Sequence, residues 1–165
     1  DVTRQSLQLI AEHVYLKLQQ SFHQKDLAVF KAHANLLMQL FSDLESILST
    51  NKHFLVGKWI KNARSLGTNV QEQKLYELNA RNQITLWGPN GEIRDYANKQ
   101  WAGVMSQYFG ARWSLYLSVL EFALEFHRPI NQTILSTFLY NMVEKPFTVP
   151  HNEFPAEPKG HSVEI

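Results

Sequence analysis

The spacing of apolar residues over the first fifty positions constrains the fold more than any other feature of this sequence. From Val2 to about Gln24 no Pro or Gly interrupts the chain. The apolar positions in this stretch are Leu7, Ile10, Val14, Leu18 and Phe22. Steps of three and four are the period of an α-helix that buries one face. The spacing therefore predicts a long first helix.

A second periodic stretch follows a short polar link at residues 23–26, in which Asp26 is the predicted helix N-cap. Its apolar positions are Leu27, Phe30, Ala34, Leu37, Leu40 or Phe41, Leu44, Ile47 and Leu48. Two long helices joined by so short a link predict an antiparallel helical hairpin.

Shorter helices are predicted along the rest of the chain. They cover about 52–66, from 68 or 69 to about 84, 95–110, 112–126, and from 131 or 132 to 143. Gly67 is the predicted C-cap of the first of these, Asn69 or Thr68 the N-cap of the second, and Asp95 the N-cap of the third. Gly110 is predicted to break the chain before the next helix, which is apolar on most faces, as in a buried helix.

Two segments depart from the helical pattern. Residues 84–93 place β-branched side chains around Gly88-Pro89-Asn90-Gly91 and fit either a hairpin or a helix end followed by a structured loop. We favour the loop, because an isolated hairpin is only marginally stable. From Lys145 onward four prolines predict an irregular tail. The predicted class is all-α: a bundle-like single domain over residues 1–165 with one structured loop and a Pro-rich C-terminal tail.

Composition narrows the classes of function. The 165 residues include 16 Lys and Arg against 15 Asp and Glu, which disfavours nucleic acid as a partner. Cysteine is absent, which excludes disulfides and thiolate sites. No apolar run approaches the ~18 residues that span a membrane. The chain begins at Asp1 without an initiator Met and ends at Ile165 without a natural-looking tail, so we expect a segment excised from a longer protein.

Sequence patterns for catalysis or metal binding are weak. His13, His23 and His33 are ten residues apart, and the predicted break near His23 separates them. Glu121 and Glu125 share a helix face, and such a pair is more common on a solvated surface than in a catalytic cleft. Neither a Gly-x-Ser-x-Gly elbow nor a Gly-rich phosphate loop is present. We therefore predict no catalytic residue, metal site or cofactor within this chain.

The most informative cluster lies between Leu75 and Trp113. It contains Tyr76, Asn79, Arg81, Asn82, Gln83, Trp87, Asp95, Tyr96, Trp101 and Arg112. Aromatic faces stack on the C–H faces of a pyranose, and amide, carboxylate and guanidinium groups bind its hydroxyls. The alternative interpretation is structural: the aromatic residues belong to the core, and Arg81 or Arg112 forms a buried ion pair with Asp95.

Asn131-Gln132-Thr133 is an acceptor sequence for N-glycosylation. It weakly favours a lysosomal or secreted protein.

Three ordered motifs carry a family resemblance. They are LYELNARNQITLWGP at 75–89, DYANKQWAG at 95–103 and YFGARW at 108–113. With HFLVGKW at 53–59 and the helix start at Asp26-Leu27, they closely resemble the C-terminal helical region of the lysosomal α-N-acetylglucosaminidase family of glycoside hydrolases. The resemblance extends from near Asp1 to the Pro-rich end.

The resemblance implies a function for the whole enzyme. Family members are retaining exo-enzymes that remove terminal α-linked N-acetylglucosamine (GlcNAc) from the non-reducing end of glycans, heparan sulfate in animals. Their two catalytic Glu residues, which such chemistry places about 5–5.5 Å apart, belong to a preceding (β/α)8 barrel that is absent from this chain. The implied partners are therefore that barrel and a glycan ending in α-GlcNAc, with the helical domain forming one side of the substrate pocket.

We assign roles to the matching residues from their chemistry. Trp87, Asp95 and Tyr96 are predicted to lie near the sugar, with Arg81 and Asn79 orienting the loop or touching the sugar. Arg112 is predicted to buttress the loop through Asp95 or backbone carbonyls. Trp101 supports the site from the core, where Trp59 and Trp113 are also expected. The alternatives are a non-enzymatic helical interaction module and a stand-alone carbohydrate-binding domain.

Overall fold

The computed structural model describes residues 1–163 and confirms the all-α class. The expected end of the excised segment falls at Glu164 and Ile165, and these two residues lie outside the part of the chain that the structure describes. The α-helices are α1 (Val2–His23), α2 (Leu27–Ser49), α3 (Val56–Arg64), α4 (Val70–Gln83), α5 (Ala111–Glu125), α6 (Gln132–Leu139) and α7 (Lys145–Thr148). Met105–Gly110 and Tyr140–Glu144 are π-helical segments that lead directly into α5 and α7.

The predicted hairpin of α1 and α2 is present and encloses one core with α5. Asp26 caps α2 as predicted, because its side chain accepts a hydrogen bond from the Val29 N–H. The buried residues of this core are Val14, Leu18, Phe30, Ala34, Leu37, Leu40, Leu117 and Leu120. Ile10, expected on the buried face of α1, is exposed. The antiparallel partner thus covers the C-terminal part of α1 more fully than its beginning.

A second core joins α3 and α4 to the segment around Val104 and to α7. Its buried residues are Val56, Ile60, Ile84, Val104, Tyr108 and Phe147. The Trp59 indole donates a hydrogen bond to the Ala80 carbonyl at 2.9 Å and packs against Trp101, with ring centroids 5.9 Å apart. Leu55 and Ala102 form an isolated bridge that brings the start of α3 beside the segment before Val104.

The long connection between α4 and the π-helical segment at Met105 differs from the sequence prediction. Residues 84–93 form a structured loop rather than a hairpin, as favoured, but the loop continues to Gly103. Asp95 does not cap a helix: its φ is +63° and its carboxylate points to Arg112. The predicted helix over 95–110 therefore begins only at Val104. We call residues 84–103 the site loop.

Two glycines have roles other than those predicted. Gly67 is not a left-handed cap, since its φ is not positive; a side chain there would lie 2.7 Å from the Gln73 backbone nitrogen. Gly110 does not break the chain, which runs helically through it from Met105 to Glu125. A Cβ on Gly110 would lie 2.8 Å from the Met105 carbonyl oxygen. Both positions are restricted by close packing of the backbone.

Two capping asparagines and one proline bear on where the later helices begin and end. Asn69 caps α4 as predicted, through a hydrogen bond from the Glu72 N–H. Asn131, one of the two predicted first residues of its helix, is instead the cap of α6, and its side chain accepts from the Ile134 N–H. The chain stays helical beyond the predicted end at Val143, because Pro146 occupies the start of α7, where a missing N–H is tolerated. From Val149 to Val163 the described residues contain no helix.

Across residues 1–163, every helix is too short or too polar to cross a lipid bilayer.

Candidate functional site

The beginning of the site loop is clamped by Asn82, at the end of α4. The Asn82 carbonyl accepts a hydrogen bond from the Trp87 N–H at 2.8 Å. Its side chain forms two further hydrogen bonds, accepting from the Gly88 N–H at 2.8 Å and donating to the Gly88 carbonyl at 3.0 Å. Trp87 is held in the left-handed region, with φ +50°. Such a conformation in a bulky residue persists only where the surroundings fix it.

This backbone presents a small apolar surface at the protein exterior. The rings of Trp87 and Tyr96 meet edge to face, with centroids 5.4 Å apart and planes inclined by 61°. Tyr96 is 73% exposed, and Ile93, one turn before it, is 49% exposed; the Tyr96 N–H donates to the Ile93 carbonyl. We call Trp87, Ile93 and Tyr96 the lip. Sequence reasoning missed Ile93, because an aliphatic residue in a loop carries no signal for sugar binding.

Asp95 and Arg112 hold the loop against α5. The Asp95 N–H donates to the Thr85 carbonyl at 2.7 Å, which ties together the two limbs of the loop. Arg112 Nη2 donates to Asp95 Oδ2 at 2.7 Å. The predicted contact between Arg112 and Asp95 is therefore present, and it also matches the ion pair of the structural alternative. One oxygen of Asp95 is engaged by protein and not directed toward the lip.

Glu144 extends this pair into a network. Its Oε1 accepts a hydrogen bond from Arg112 Nη1 at 2.9 Å, and its Oε2 lies 3.2 Å from Arg94 Nη1. Two guanidinium groups and two carboxylates thus alternate in space. Sequence reasoning missed Glu144, because it lies 49 residues beyond Asp95 in a segment without a motif.

The surroundings of Arg112 and Tyr108 shift the pKa values of these two side chains. Burial lowers the pKa of Arg112, but the hydrogen bonds to Asp95 and Glu144 and the nearby negative charge outweigh this effect and raise the pKa above its ordinary value. Burial also raises the pKa of the Tyr108 hydroxyl, which lies 3.5 Å from Arg112 Nη1. Arg112 stays charged and Tyr108 stays neutral, as suits a structural support.

Arg81 does not reach the surface, so the prediction that it touches the sugar is wrong. Its side chain is 0% exposed and lies between the rings of Phe147 and Phe154. The guanidinium donates to Glu77 and to the carbonyls of Phe147 and Asn152. Arg81 therefore anchors the C-terminal segment to α4. The sequence did not reveal this, since both carbonyls lie more than 60 residues away.

The other candidate residues are dispersed. Asn79 is exposed on α4, away from the buried face that carries Arg81. Trp101 packs in the second core with Trp59. Trp113 lies in the first core, edge-on to Tyr15 and Tyr116. The structure thus brings together Trp87, Asp95, Tyr96 and Arg112. Arg81 is buried away from the surface, and Asn79 lies exposed on α4.

The remaining ionisable candidates are the pair Glu121 and Glu125 and the histidines His13, His23 and His33. Glu121 is paired with Lys31 at 3.0 Å, and this contact raises the pKa of Lys31. Within residues 1–163 no group of three or more His, Cys, Asp and Glu side chains is placed to hold a metal ion. Asn131 is exposed at the start of α6.

Comparison with known proteins identifies the family to which this chain is similar. The family described as "Alpha-N-acetylglucosaminidase (NAGLU) C-terminal domain" matches residues 1–165. Human alpha-N-acetylglucosaminidase is 33% identical over 166 residues, covering 100% of this chain and 22% of the human protein.

Solved structures of a family 89 glycoside hydrolase from Clostridium perfringens share the fold. The structure of that enzyme in complex with 2-acetamido-1,2-dideoxynojirmycin has 25% sequence identity to this chain and a TM-score of 0.83. The match covers 99% of this chain and 19% of the enzyme's chain. A variant with two Glu-to-Gln changes, in complex with its substrate GlcNAc-α-1,4-galactose, is 26% identical with a TM-score of 0.83 over the same shares. This chain therefore spans only 19–22% of the length of these relatives. Since the family match extends over every residue, the chain belongs to the C-terminal domain family of the α-N-acetylglucosaminidases.

Proposed function

We propose that this chain is the C-terminal helical domain of an exo-acting, retaining α-N-acetylglucosaminidase and forms one wall of its substrate pocket. The parent enzyme would remove terminal α-linked GlcNAc from the non-reducing end of a glycan such as heparan sulfate. The single observation that carries this proposal is the lip: the partly buried Trp87 ring lies against the exposed Tyr96 ring, with the exposed Ile93 beside them. The loop that carries it is held by Asn82, Thr85 and Arg112.

The lip has the chemistry of a sugar-contacting surface. Aromatic rings stack on the apolar C–H faces of a pyranose, and an aliphatic side chain can contact the methyl group of an N-acetyl substituent. Because Trp87 and Tyr96 already contact each other, neither ring has to be ordered by the ligand. A preorganised surface loses less entropy on binding.

The catalytic carboxylates would come from another domain. Asp95 and Glu144 are both paired with arginine. Glu92, next to Ile93, accepts hydrogen bonds from its own backbone N–H and from that of Asn90, and these lower its pKa. A general acid of a retaining glycosidase needs a raised pKa, which a neighbouring guanidinium opposes. The proposal therefore places the acid/base and the nucleophile in the (β/α)8 barrel of the parent protein, with this domain contributing binding energy.

Substitution of the lip in the full-length enzyme tests the proposal. We expect Trp87→Ala to lower kcat/KM by an amount equivalent to about 1–3 kcal/mol, since a stacked ring is lost. The matched control is Trp113→Phe, which alters an indole in the first core and should lower Tm while leaving kcat/KM unchanged. A Trp87→Ala enzyme with normal kinetics and a lowered Tm would instead assign this ring to the core.

A second experiment tests whether both catalytic residues lie outside this chain. The 1–165 chain, shown to be helical by circular dichroism, should not hydrolyse 4-nitrophenyl α-N-acetylglucosaminide. Clear turnover by the purified chain would contradict the placement of both catalytic residues outside it.

We also propose a lysosomal or secreted location, in which Asn131 carries an N-linked glycan. The exposure of Asn131 and Thr133 is compatible with modification. Expression in a secretory host should give a protein whose mass falls after treatment with an N-glycosidase. Thr133→Ala should abolish this mass difference while leaving the Asn131 cap of α6 in place; an unmodified parent protein would contradict the proposal.

A further inference from the structure

We propose that Glu144 is a positioning residue for the lip: its buried carboxylate, by holding Arg94 and Arg112, fixes the orientation in which Trp87, Ile93 and Tyr96 meet the sugar. This inference rests on the proposed function, since it concerns the same surface. It adds a residue that the sequence motifs do not include and that does not itself touch the ligand.

The position of Glu144 suits this role. Its side chain is only 1% exposed, and it lies in the π-helical segment Tyr140–Glu144, which is remote in sequence from the site loop. Its two oxygens face different arginines, Arg112 at 2.9 Å and Arg94 at 3.2 Å. One carboxylate therefore joins the π-helical segment before α7, the beginning of α5 and the site loop.

The restraint acts on the part of the loop that carries the lip. Arg94 and Asp95 are consecutive residues, and they separate Ile93 from Tyr96. Glu144 holds Arg94 directly and Asp95 through Arg112, whose Nη2 donates to Asp95 at 2.7 Å. Two adjacent tethers fix both the position and the rotation of this turn, and so the direction of the side chains on either side of it.

The same π-helical segment also holds the other limb of the loop. The Tyr140 hydroxyl donates a hydrogen bond to the Pro89 carbonyl at 2.8 Å, two residues after Trp87. The Arg94 guanidinium lies 6.0 Å from the centre of the Tyr140 ring. Tyr140 and Glu144 thus contact the loop at two points, Pro89 and Arg94, that lie between Trp87 and Tyr96. A shift of this segment would move Trp87 relative to Tyr96.

Removal of the Glu144 charge should release this restraint. It would leave two guanidinium groups facing the single carboxylate of Asp95 in a partly buried setting. When one partner of such a network is removed, the opposite charge beside it is no longer balanced, and the most mobile charged group is expected to move away. That group is Arg94, since it is 31% exposed and belongs to a loop.

The chain offers a matched comparison in Glu77. It is also a buried acid between two arginines, with Arg81 Nη2 at 2.6 Å and Arg64 Nη1 at 3.3 Å. Its partners belong to α3 and α4, and Arg81 holds the C-terminal segment rather than the loop turn at 93–96. Neutralising Glu77 therefore disturbs a similar network without a direct tether to the lip.

The experiment is a double-mutant cycle in the full-length enzyme, using Glu144→Gln, Glu77→Gln, Trp87→Ala and the two double variants. We measure kcat, KM, Tm and the inhibition constant of 2-acetamido-1,2-dideoxynojirmycin, well below every Tm. Glu144→Gln should lower kcat/KM about tenfold, because small displacements of binding groups are amplified in the rate. In the Trp87→Ala background the further loss should be less than about threefold, because non-additivity marks residues that act together.

Glu77→Gln should lower Tm but change kcat/KM by less than about twofold in either background. Losses from Glu144→Gln and Trp87→Ala that are additive would overturn the positioning role while leaving the proposed function intact. Normal kcat/KM in Trp87→Ala alone would instead overturn the proposed function. If Glu144→Gln fails to fold, Arg94→Met, which removes only the loop end of the bridge, should show the same coupling to Trp87→Ala, and additive losses there would overturn the role equally.

Discussion

The carboxylate of Glu45, near the C-terminal end of α2, accepts hydrogen bonds from the backbone N–H of Gly103, at 2.7 and 2.9 Å to its two oxygens. It also accepts from the Ser106 N–H at 3.0 Å. These donors belong to the beginning of the helical run that starts at Val104 and continues into α5. Glu45 therefore supplies from a neighbouring helix the negative charge and the acceptors that an N-cap residue usually provides.

Removing this distant cap should destabilise the domain. We expect Glu45→Ala to lower the free energy of unfolding by about 1–3 kcal/mol, because two backbone donors lose a charged acceptor. Glu45→Gln should cost less, since an amide oxygen remains to accept. Urea denaturation measures both values. Asp43→Ala on the same helix, whose carboxylate accepts only from Gln39, is the control, and a cost equal to that of Glu45→Ala would contradict the capping role.

Asp95 carries both a charge and an unusual backbone conformation, and two substitutions separate them. Asp95→Asn keeps a residue type that tolerates positive φ but loses the ion pair with Arg112, so we expect a loss of about 1–2 kcal/mol at this partly exposed site. Asp95→Ala should lose about 1 kcal/mol more, because alanine is strained at φ +63°. Thermal or urea unfolding provides the comparison, and equal losses would show that the backbone conformation contributes nothing.

Gly103 is required for space as well as for its conformation. A Cβ there would lie 2.6 Å from both Phe154 Cδ1 and Val56 Cγ1, and φ is +90°. Gly91 also has a positive φ, +75°, but its nearest contacts lie at 3.3 Å. We expect Gly91→Ala to lose about 1–2 kcal/mol from strain alone, and Gly103→Ala to lose a further 1–3 kcal/mol, roughly, from overpacking. Similar unfolding free energies for the two variants would contradict this difference.

The buried hydroxyl of Tyr108 should make stability fall at alkaline pH. Burial raises its pKa above the ordinary value of 10, the charge of Arg112 opposes this, and Asp95 and Glu144 add to it. Above pH 10 the unfolded chain loses this proton while the folded chain retains it, so the contribution to stability is present below pH 10 and declines as pH rises further.

Tyr108→Phe removes this dependence. Between pH 8 and 11 the free energy of unfolding of the parent should decline relative to that of Tyr108→Phe, by at most about 1.4 kcal/mol per pH unit above 10. Parallel curves for the two proteins in urea denaturation would show that the hydroxyl titrates alike in both states.

Most of the helical framework could be predicted from local sequence. The three-to-four spacing located α1 and α2, and the caps Asp26 and Asn69 could be predicted because a capping side chain bonds to a backbone group only three residues away. The site loop was predicted in part. Its Pro-Asn-Gly turn is local, but its extension to Gly103 depends on Arg112 and Glu45, which hold it from other helices.

Local sequence is sufficient to predict the α-helical class, the position of the loop and the residues that carry the family resemblance, because each of these follows from neighbours within a few positions. Which polar residues reach the surface depends on contacts between distant segments. Arg81 and Arg112 look equivalent in the sequence, yet one is buried between Phe147 and Phe154 and the other supports the loop through Asp95 and Glu144. The physical reason is that a guanidinium is placed by carbonyls and carboxylates from distant segments, and only folding brings those groups together.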